Sequence, residues 1–381
     1  MKINIVLNTF PKVSETFLVN WIKQLTYRDV KVRLILVDSF QIYKSRNLAE
    51  LNNIKVTSKF NIVILIKSIL LYFKFFNFRQ SLRYVHLTFG SPDIIHFSYS
   101  ALASNRLCEL QAIKLSSKIK LVASCRGTSE NVKPFIFEDR GVILSDLFQL
   151  LDAVHCVSVN LRIKMHDYFG LDLNKSFVNH PAIDLSQFQN NKNFQINNGK
   201  IKLLSIGRLD YIKGYYFALD ALRKLKDKGF DFVYKIIGGG DLMEELLFYR
   251  YQFNLESEVE LLGIKEGKDV LKELNNADVL LLPSLSEGLA NVAIEAMASG
   301  VLVVSSNVGG MSELITHGVS GFLVNPYSSD EITEAIIFIT ENGDKCKTIT
   351  EEARIKVKNE FDLQIQTNNF MNEYTKLLIN V

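Results

Sequence analysis

One rhythm constrains this chain more than any single residue. Short runs that are apolar at consecutive positions alternate with longer segments whose apolar residues recur at helical spacing. In the first half the runs are INIVL (3–7), VRLILV (32–37), DIIHF (93–97), KLVAS (120–124) and AVHCVS (153–158). The rhythm restarts with IKLLSIG (201–207), FVYKIIG (232–238), VELLG (259–263), DVLLLP (278–283), VLVVSS (301–306) and GFLV (321–324). A strand apolar on both faces must be covered on both faces, and helix-length connections between such strands make them parallel. The chain is therefore predicted to be α/β, with two doubly wound Rossmann-like domains. The polar, Asn- and Gln-rich stretch QFQNNKNFQINNGK has no periodicity and reads as the connector. The expected parts are an N-terminal domain over 1–186, a linker over 187–200, a C-terminal domain over 201–358 and a last helix over 359–381. That helix is expected to pack back toward the N-terminal domain. A length of 381 residues suits two domains, and 48% apolar residues suffice for two cores.

Charge narrows the class. A net charge of +3 is too small to indicate nucleic-acid binding by itself. Cys108, Cys125, Cys156 and Cys346 are scattered, which reads as reduced packing thiols in a cytoplasmic protein. The start, MKINIVLNTFPKVSETF, meets Pro and Glu too early for a signal peptide. The most apolar segment, residues 60–85, is interrupted by Lys67, Lys74 and Arg79, so it is a poor membrane span. Two readings of it stay open: a basic amphipathic helix lying on a membrane surface, or a core helix with solvated lysines.

In doubly wound sheets ligands bind beyond the carboxyl ends of the strands, so the loops there carry the chemistry. GRLDYIKG (207–214) places Arg208 and Lys213 on a strand-to-helix turn between two glycines. A guanidinium fork and a compact ammonium suit the oxygens of a diphosphate. In SEGLANVAIEA (286–296) two carboxylates, Glu287 and Glu295, bracket small and apolar residues after a core strand. A helix starting near Ala290 would present the backbone amides of Gly288, Leu289, Ala290 and Asn291 to a phosphate. Glu295, four residues after Asn291, would then face the hydroxyls of an adjoining ribose. The alternatives are a paired surface carboxylate at Glu295 and a helix-entry charge at Glu287. GGGD (238–241) fits a nucleotide-binding wall at Gly238, and fits a plain tight turn equally well.

The stretches GRLDYIKG, GGGDLMEEL, NADVLLLPSLSEGLANVAIEAMASG, NVGGMSELI and GVSGFLV, in order across about residues 200–340, resemble retaining glycosyltransferases of family 4. The acidic pair matches that family's E-x7-E motif. The resemblance implies the GT-B fold, with two parallel sheets facing across a cleft, an N-terminal acceptor domain and a C-terminal nucleotide-sugar donor domain. It implies that Arg208 and Lys213 neutralise the donor diphosphate, that Glu295 holds the ribose, and that Glu287 contacts the transferred sugar. The base would meet backbone near Ile264. FPKVSETFL (10–18) and HPAIDLSQF (180–188) resemble a subgroup that builds capsule or exopolysaccharide, which implies Ser14 and Glu15 in the N-domain cleft. Many members follow an N-domain strand with His-Gly-x-Asp. Here SCRGTSENV puts Arg126, as the candidate catalytic residue beside Glu287, where the His would stand, and Ser129 where the Asp would stand. DIIHFSYS keeps His96 as a further cleft residue.

No two aspartates stand two apart and no His, Cys or carboxylate cluster has metal-ligand spacing, so no metal and no cofactor is expected. The charge of a leaving diphosphate would be met by Arg208, Lys213 and a helix N-terminus. By resemblance, retention would come from front-face attack in which the leaving phosphate helps to deprotonate the acceptor. The expected partners are a nucleotide-sugar and a glycan or lipid-linked glycan, with peripheral membrane contact through 60–85 and no nucleic acid. Rival readings are a nucleotide-sugar epimerase or phosphorylase on the same fold, or a non-catalytic binding scaffold.

Overall fold

The computed structural model describes residues 1–9, 16–37, 54–57, 61–71, 77–188, 194–196 and 199–379. The chain divides into two compact units, one of Met1–His180 with Leu363–Val381, the other of Pro181–Asp362. The division falls ahead of the 187–200 segment because Ile183 already packs in the second unit's core and its amide donates to Phe361 O.

Among the described residues the first unit holds seven strands: β1 (Lys2–Leu7), β2 (Lys31–Leu36), β3 (Lys55–Thr57), β4 (Ile94–Phe97), β5 (Lys120–Cys125), β6 (Ala153–Cys156) and β7 (Ser176–Val178). Their order is β3-β2-β1-β4-β5-β6-β7, with parallel pairing throughout. The second unit holds β8 (Ile201–Ile206), β9 (Phe232–Ile237), β10 (Val259–Leu261), β11 (Val279–Leu282), β12 (Leu302–Ser306) and β13 (Phe322–Val324). Their order is β10-β9-β8-β11-β12-β13, again all parallel. Each sheet reverses direction once, between β1 and β4 and between β8 and β11. Such switch points are where connecting helices diverge and leave a crevice for ligand. All six strands of the second sheet coincide with apolar runs. In the first, the short edge strands β3 (KVT) and β7 (SFV) carry no continuous run, unlike β10 and β13 at the edges of the second.

Helices cover both faces. On one face of the first sheet the helices Thr16–Thr26 and Leu363–Ile379 bury Leu18, Trp21, Ile22, Phe370 and Tyr374 against β1 and β2. Trp21 and Phe370 meet with ring centroids 4.9 Å apart. Burying an aliphatic or aromatic side chain of this size stabilises by about 1.5–3 kcal/mol, so the last helix is a structural part of the unit that begins the chain. In the second unit Leu219, Leu222, Tyr234 and Ile336 fill one face and Ile294, Met297, Val303 and Phe361 the other.

The expected single helix over 60–85 is corrected: the described residues form two, Ile62–Leu70 and Phe78–Thr88. Asn77 starts the second by accepting from the amides of Arg79 and Gln80, which satisfies donors that a continuous helix would have spent internally. The first buries Ile64 and Ser68, while Ile62, Ile66, Ile69 and Leu70 are exposed, so that face is not core. Cys125, Cys156 and Cys346 are buried free thiols, whereas Cys108 is exposed rather than packed.

Candidate functional site

Four loops leave the carboxyl ends of β8, β9, β11 and β12 in the second unit and bind one another through backbone. The Gly207 amide donates to Ile237 O (2.9 Å) and the Leu209 amide to Gly239 O (3.0 Å). The Leu285 amide donates to Ile212 O (2.6 Å), and the Gly310 amide to Gly288 O (2.8 Å). Two glycines make this approach feasible. At Gly214, with φ +62°, a Cβ would lie 2.1 Å from Pro283 O. At Gly238, with φ +156°, it would lie 1.8 Å from Gly207 O. The glycine run after β9 is therefore required by loop-on-loop packing, whatever else it touches. Ile264 packs against Gly239 yet stays 78% exposed, which leaves its surface open.

These loops fix the charges. Lys213 closes a 3-10 turn (Tyr211–Lys213), and its Nζ donates to Glu287 Oε1 at 2.6 Å; both side chains are largely buried. The same oxygen accepts from Ser284 Oγ at 2.8 Å. Arg208, on the loop with Lys213, is 71% exposed, its guanidinium 3.5 Å from Asp210 Oδ2, while Asp210 Oδ1 is buried without a hydrogen bond. The loops thus hold two cations, one fixed and one extended.

The helix Asn291–Ser299 starts directly after the loop that carries Glu287. Its N-cap, Ala290, has no side chain able to cap, and no acceptor among the described residues takes the amides of Gly288, Leu289, Ala290, Asn291 or Val292. Asn291 Oδ1 is buried with no partner. One turn on, the half-buried Glu295 carboxylate receives no hydrogen bond from the described residues, and desolvation pushes its pKa up to about 7. Buried donors and acceptors are normally paired, so this concentration of unspent capacity marks a place for a polar ligand. Free amides at the positive end of a helix suit an anion, and an acceptor one turn away suits hydroxyls.

The first unit's candidates divide. Arg126 follows β5, donates from Nε to Ser98 O at 2.9 Å, and lies over the Phe17 ring at 4.9 Å. The expected Asp position holds Ser129, but the next residue supplies the carboxylate. Glu130 accepts from the amides of Arg126 (3.1 Å) and Gly127 (2.9 Å), and from the Ser100 hydroxyl. Its burial pushes its pKa up, opposed by those hydrogen bonds. His96 requires correction, because it lines no open face: it is fully buried with both ring nitrogens engaged. Nδ1 meets Tyr374 Oη at 2.5 Å and Nε2 meets Ser124 Oγ at 2.8 Å. Ser124 continues to His155 Nδ1 (2.8 Å), whose Nε2 meets Asn179 O (2.8 Å). Desolvation, helped by the Arg126 charge, lowers the His96 pKa to about 3 and that of His155 well below its usual value, so both are neutral. Ser14 and Glu15 lie outside the described residues.

The structure thus gathers Lys213, Glu287, Gly288–Asn291 and Glu295 on two adjoining loops and one helix, with Arg208 on the Lys213 loop. Ser284, Asp210 and Glu130 were not singled out from sequence. All three lie inside the motifs GRLDYIKG, NADVLLLPSLSEGLANVAIEAMASG and SCRGTSENV, and only Glu130, one position from the expected acid, carries a signal of its role.

Comparison with known proteins adds three findings. The family described as Glycosyl transferases group 1 matches residues 186–356. The amylovoran biosynthesis glycosyltransferase AmsK of Erwinia amylovora is 31% identical over 280 residues, covering 71% of this chain and 67% of that protein. The putative colanic acid biosynthesis glycosyltransferase WcaL of Escherichia coli K12 is 33% identical over 172 residues, covering 43% of this chain and 42% of that protein. Among solved structures, Anabaena HepE in complex with UDP superposes with a TM-score of 0.74 at 19% identity, covering 99% of this chain and all of that one. At that identity the likeness shows the fold alone.

Proposed function

This chain belongs to the group 1 glycosyl transferases, and from that premise we propose that it moves a sugar, with retention, from a nucleoside-diphosphate sugar to a glycan or lipid-linked glycan acceptor in surface polysaccharide synthesis. The observation that carries the reading is the unspent capacity around the helix Asn291–Ser299: free amides, Asn291 Oδ1 and the Glu295 carboxylate in sequence along one helix start. The diphosphate takes the amides and the Lys213 ammonium, with Arg208 folding onto it from the exposed side. The ribose hydroxyls donate to Glu295, and the base lies by Gly239 and Ile264. As phosphate oxygens take up Lys213, Glu287 exchanges its ion pair for a hydroxyl of the transferred sugar. Positive charge fixed in a partly dry site stabilises the leaving diphosphate without a metal. The acceptor attacks from the face the diphosphate leaves, its proton passing to a phosphate oxygen. An epimerase or phosphorylase would give no transferred product.

The test is transfer itself. With a UDP-sugar panel and total glycan acceptor, nucleotide release should depend on acceptor, persist in excess EDTA, and give a product whose anomeric NMR coupling matches the donor. Strict dependence on added Mg²⁺ or Mn²⁺, or an inverted product, would overturn the metal-free or the retaining part respectively. We also assign peripheral membrane contact to the exposed stripe Ile62, Ile66, Ile69 and Leu70 beside Lys67. No helix among the described residues is long and apolar enough to cross a membrane. Lys67→Glu with Ile66→Ser should release the protein from anionic vesicles; unchanged co-sedimentation would sink that contact.

A further inference from the structure

The first unit contains a cavity of about 400 Å³ that none of the residues discussed so far explains. It opens beyond the carboxyl end of β2, between the helices Ile62–Leu70 and Phe78–Thr88. Ile35, Val37, Leu65, Leu82 and Leu87 give it an apolar wall, and Arg79, Arg83 and Arg106 also line it. Its volume lies in the range of small-molecule sites.

Arg106 is the unusual member. It is 7% exposed, and the one hydrogen bond of its guanidinium among the described residues runs from Nη1 to Leu102 O. Most of its five N–H donors are therefore unspent. The nearby carboxylate is Glu109, itself buried and engaged by Arg83 at 3.4 Å. His86 bonds Thr57 O at 3.0 Å and adds no negative charge. Three arginines thus line the apolar chamber, and among the described residues Glu109 is the carboxylate that Arg83 and Arg106 share. Burial and the Arg83 charge lower the Arg106 pKa to about 10, although Glu109 opposes them. A buried cation without a matched anion is costly, and an anion delivered by a ligand removes the cost.

We propose that this cavity binds a hydrocarbon-tailed phosphate, its chain against Leu65, Leu82 and Leu87 and its head on the free donors of Arg106. The inference rests on the cavity and does not need the transferase reading. If that reading holds, a lipid-linked acceptor is one ligand with both halves.

Titration calorimetry on the full chain tests it with a series of alkyl phosphates, butyl to decyl, below their micelle concentrations. Affinity should rise about fourfold per methylene, the increment of a buried CH₂, and then level off when the chamber is full. Octanol and inorganic phosphate should each bind at least tenfold more weakly than octyl phosphate. Arg106→Gln should weaken octyl phosphate at least tenfold and leave octanol unchanged, while Leu82→Trp, which fills the chamber from a half-buried position, should weaken both. No dependence on chain length, equal binding of inorganic phosphate, or indifference to both substitutions would overturn the proposal. UDP titration of the same variants keeps the two sites apart: it should be unchanged, so either site can fail alone.

Discussion

The two units share a plan, a parallel sheet with one reversal of strand order, and treat the polar residues at their strand ends in opposite ways. In the first, His96, Ser124 and His155 on β4, β5 and β6 close a chain from Tyr374 to Asn179, with both nitrogens of each ring bonded. In the second, Asn291 Oδ1, Glu295 and the amides of residues 288–292 have no such partners. A polar side chain at a strand's carboxyl end is therefore not a site by position alone. Saturation of its hydrogen bonds separates scaffold from binding surface.

Substitutions in the two groups should part activity from stability. Lys213→Ala should have the largest effect, lowering kcat by about 10²–10³ if it meets the leaving diphosphate, with the melting temperature little changed. Near wild-type turnover would remove the second unit's side of the contrast. His96→Ala should do the reverse. It leaves Tyr374 and Ser124 short of a partner and opens a void, so a loss of about 2–4 kcal/mol in denaturant unfolding is expected, with KM for donor unchanged. A stable variant with impaired transfer would place His96 in the site after all.

The pH dependence of the two groups differs in sign. The folded-state pKa of His96 is depressed, so the unfolded chain binds the proton first on acidification. Its contribution to stability is present above about pH 6.5 and falls by about 1.4 kcal/mol per unit as pH drops toward 3. Glu295 is the opposite case. Its raised pKa favours the folded state below about pH 4.3, and that contribution is lost as pH rises through about 7. The same ionisation makes Glu295 a better acceptor for ribose. UDP affinity should therefore tighten several-fold between pH 6 and 8, and Glu295→Gln should flatten that profile. An unchanged profile in the variant would detach Glu295 from the ribose.

Much of the second unit was legible in sequence, because each of its strands is a continuous apolar run and its loops carry glycines at fixed places. Glu287 and Glu295 stand out as candidates because charge in an otherwise apolar segment has few structural uses, and Lys213 because it closes a glycine-bounded turn at a strand's carboxyl end. What could not be read was pairing. Nothing in the sequence ties Lys213 to Glu287, 74 positions on, or Tyr374 to His96, 278 positions back, since both contacts exist through the sheet topology. His96 looked like a cleft residue because a histidine in an apolar strand gives the same letters whether its ring nitrogens face ligand or a tyrosine. The edge strands β3 and β7 escaped because KVT and SFV do not extend into a continuous apolar run, whereas the equally short β10 and β13 sit inside VELLG and GFLV.

Phe370 and Tyr374, which complete the packing around Trp21 and His96, emerge from the ribosome after everything in 181–362. The segment made first is thus finished last. The later-made unit is contiguous and can close on its own, while residues 1–180 wait with an unfilled aromatic socket. Premature termination before Leu363 would strand that socket in water, making the newly made amino-terminal half the part that chaperones must shelter.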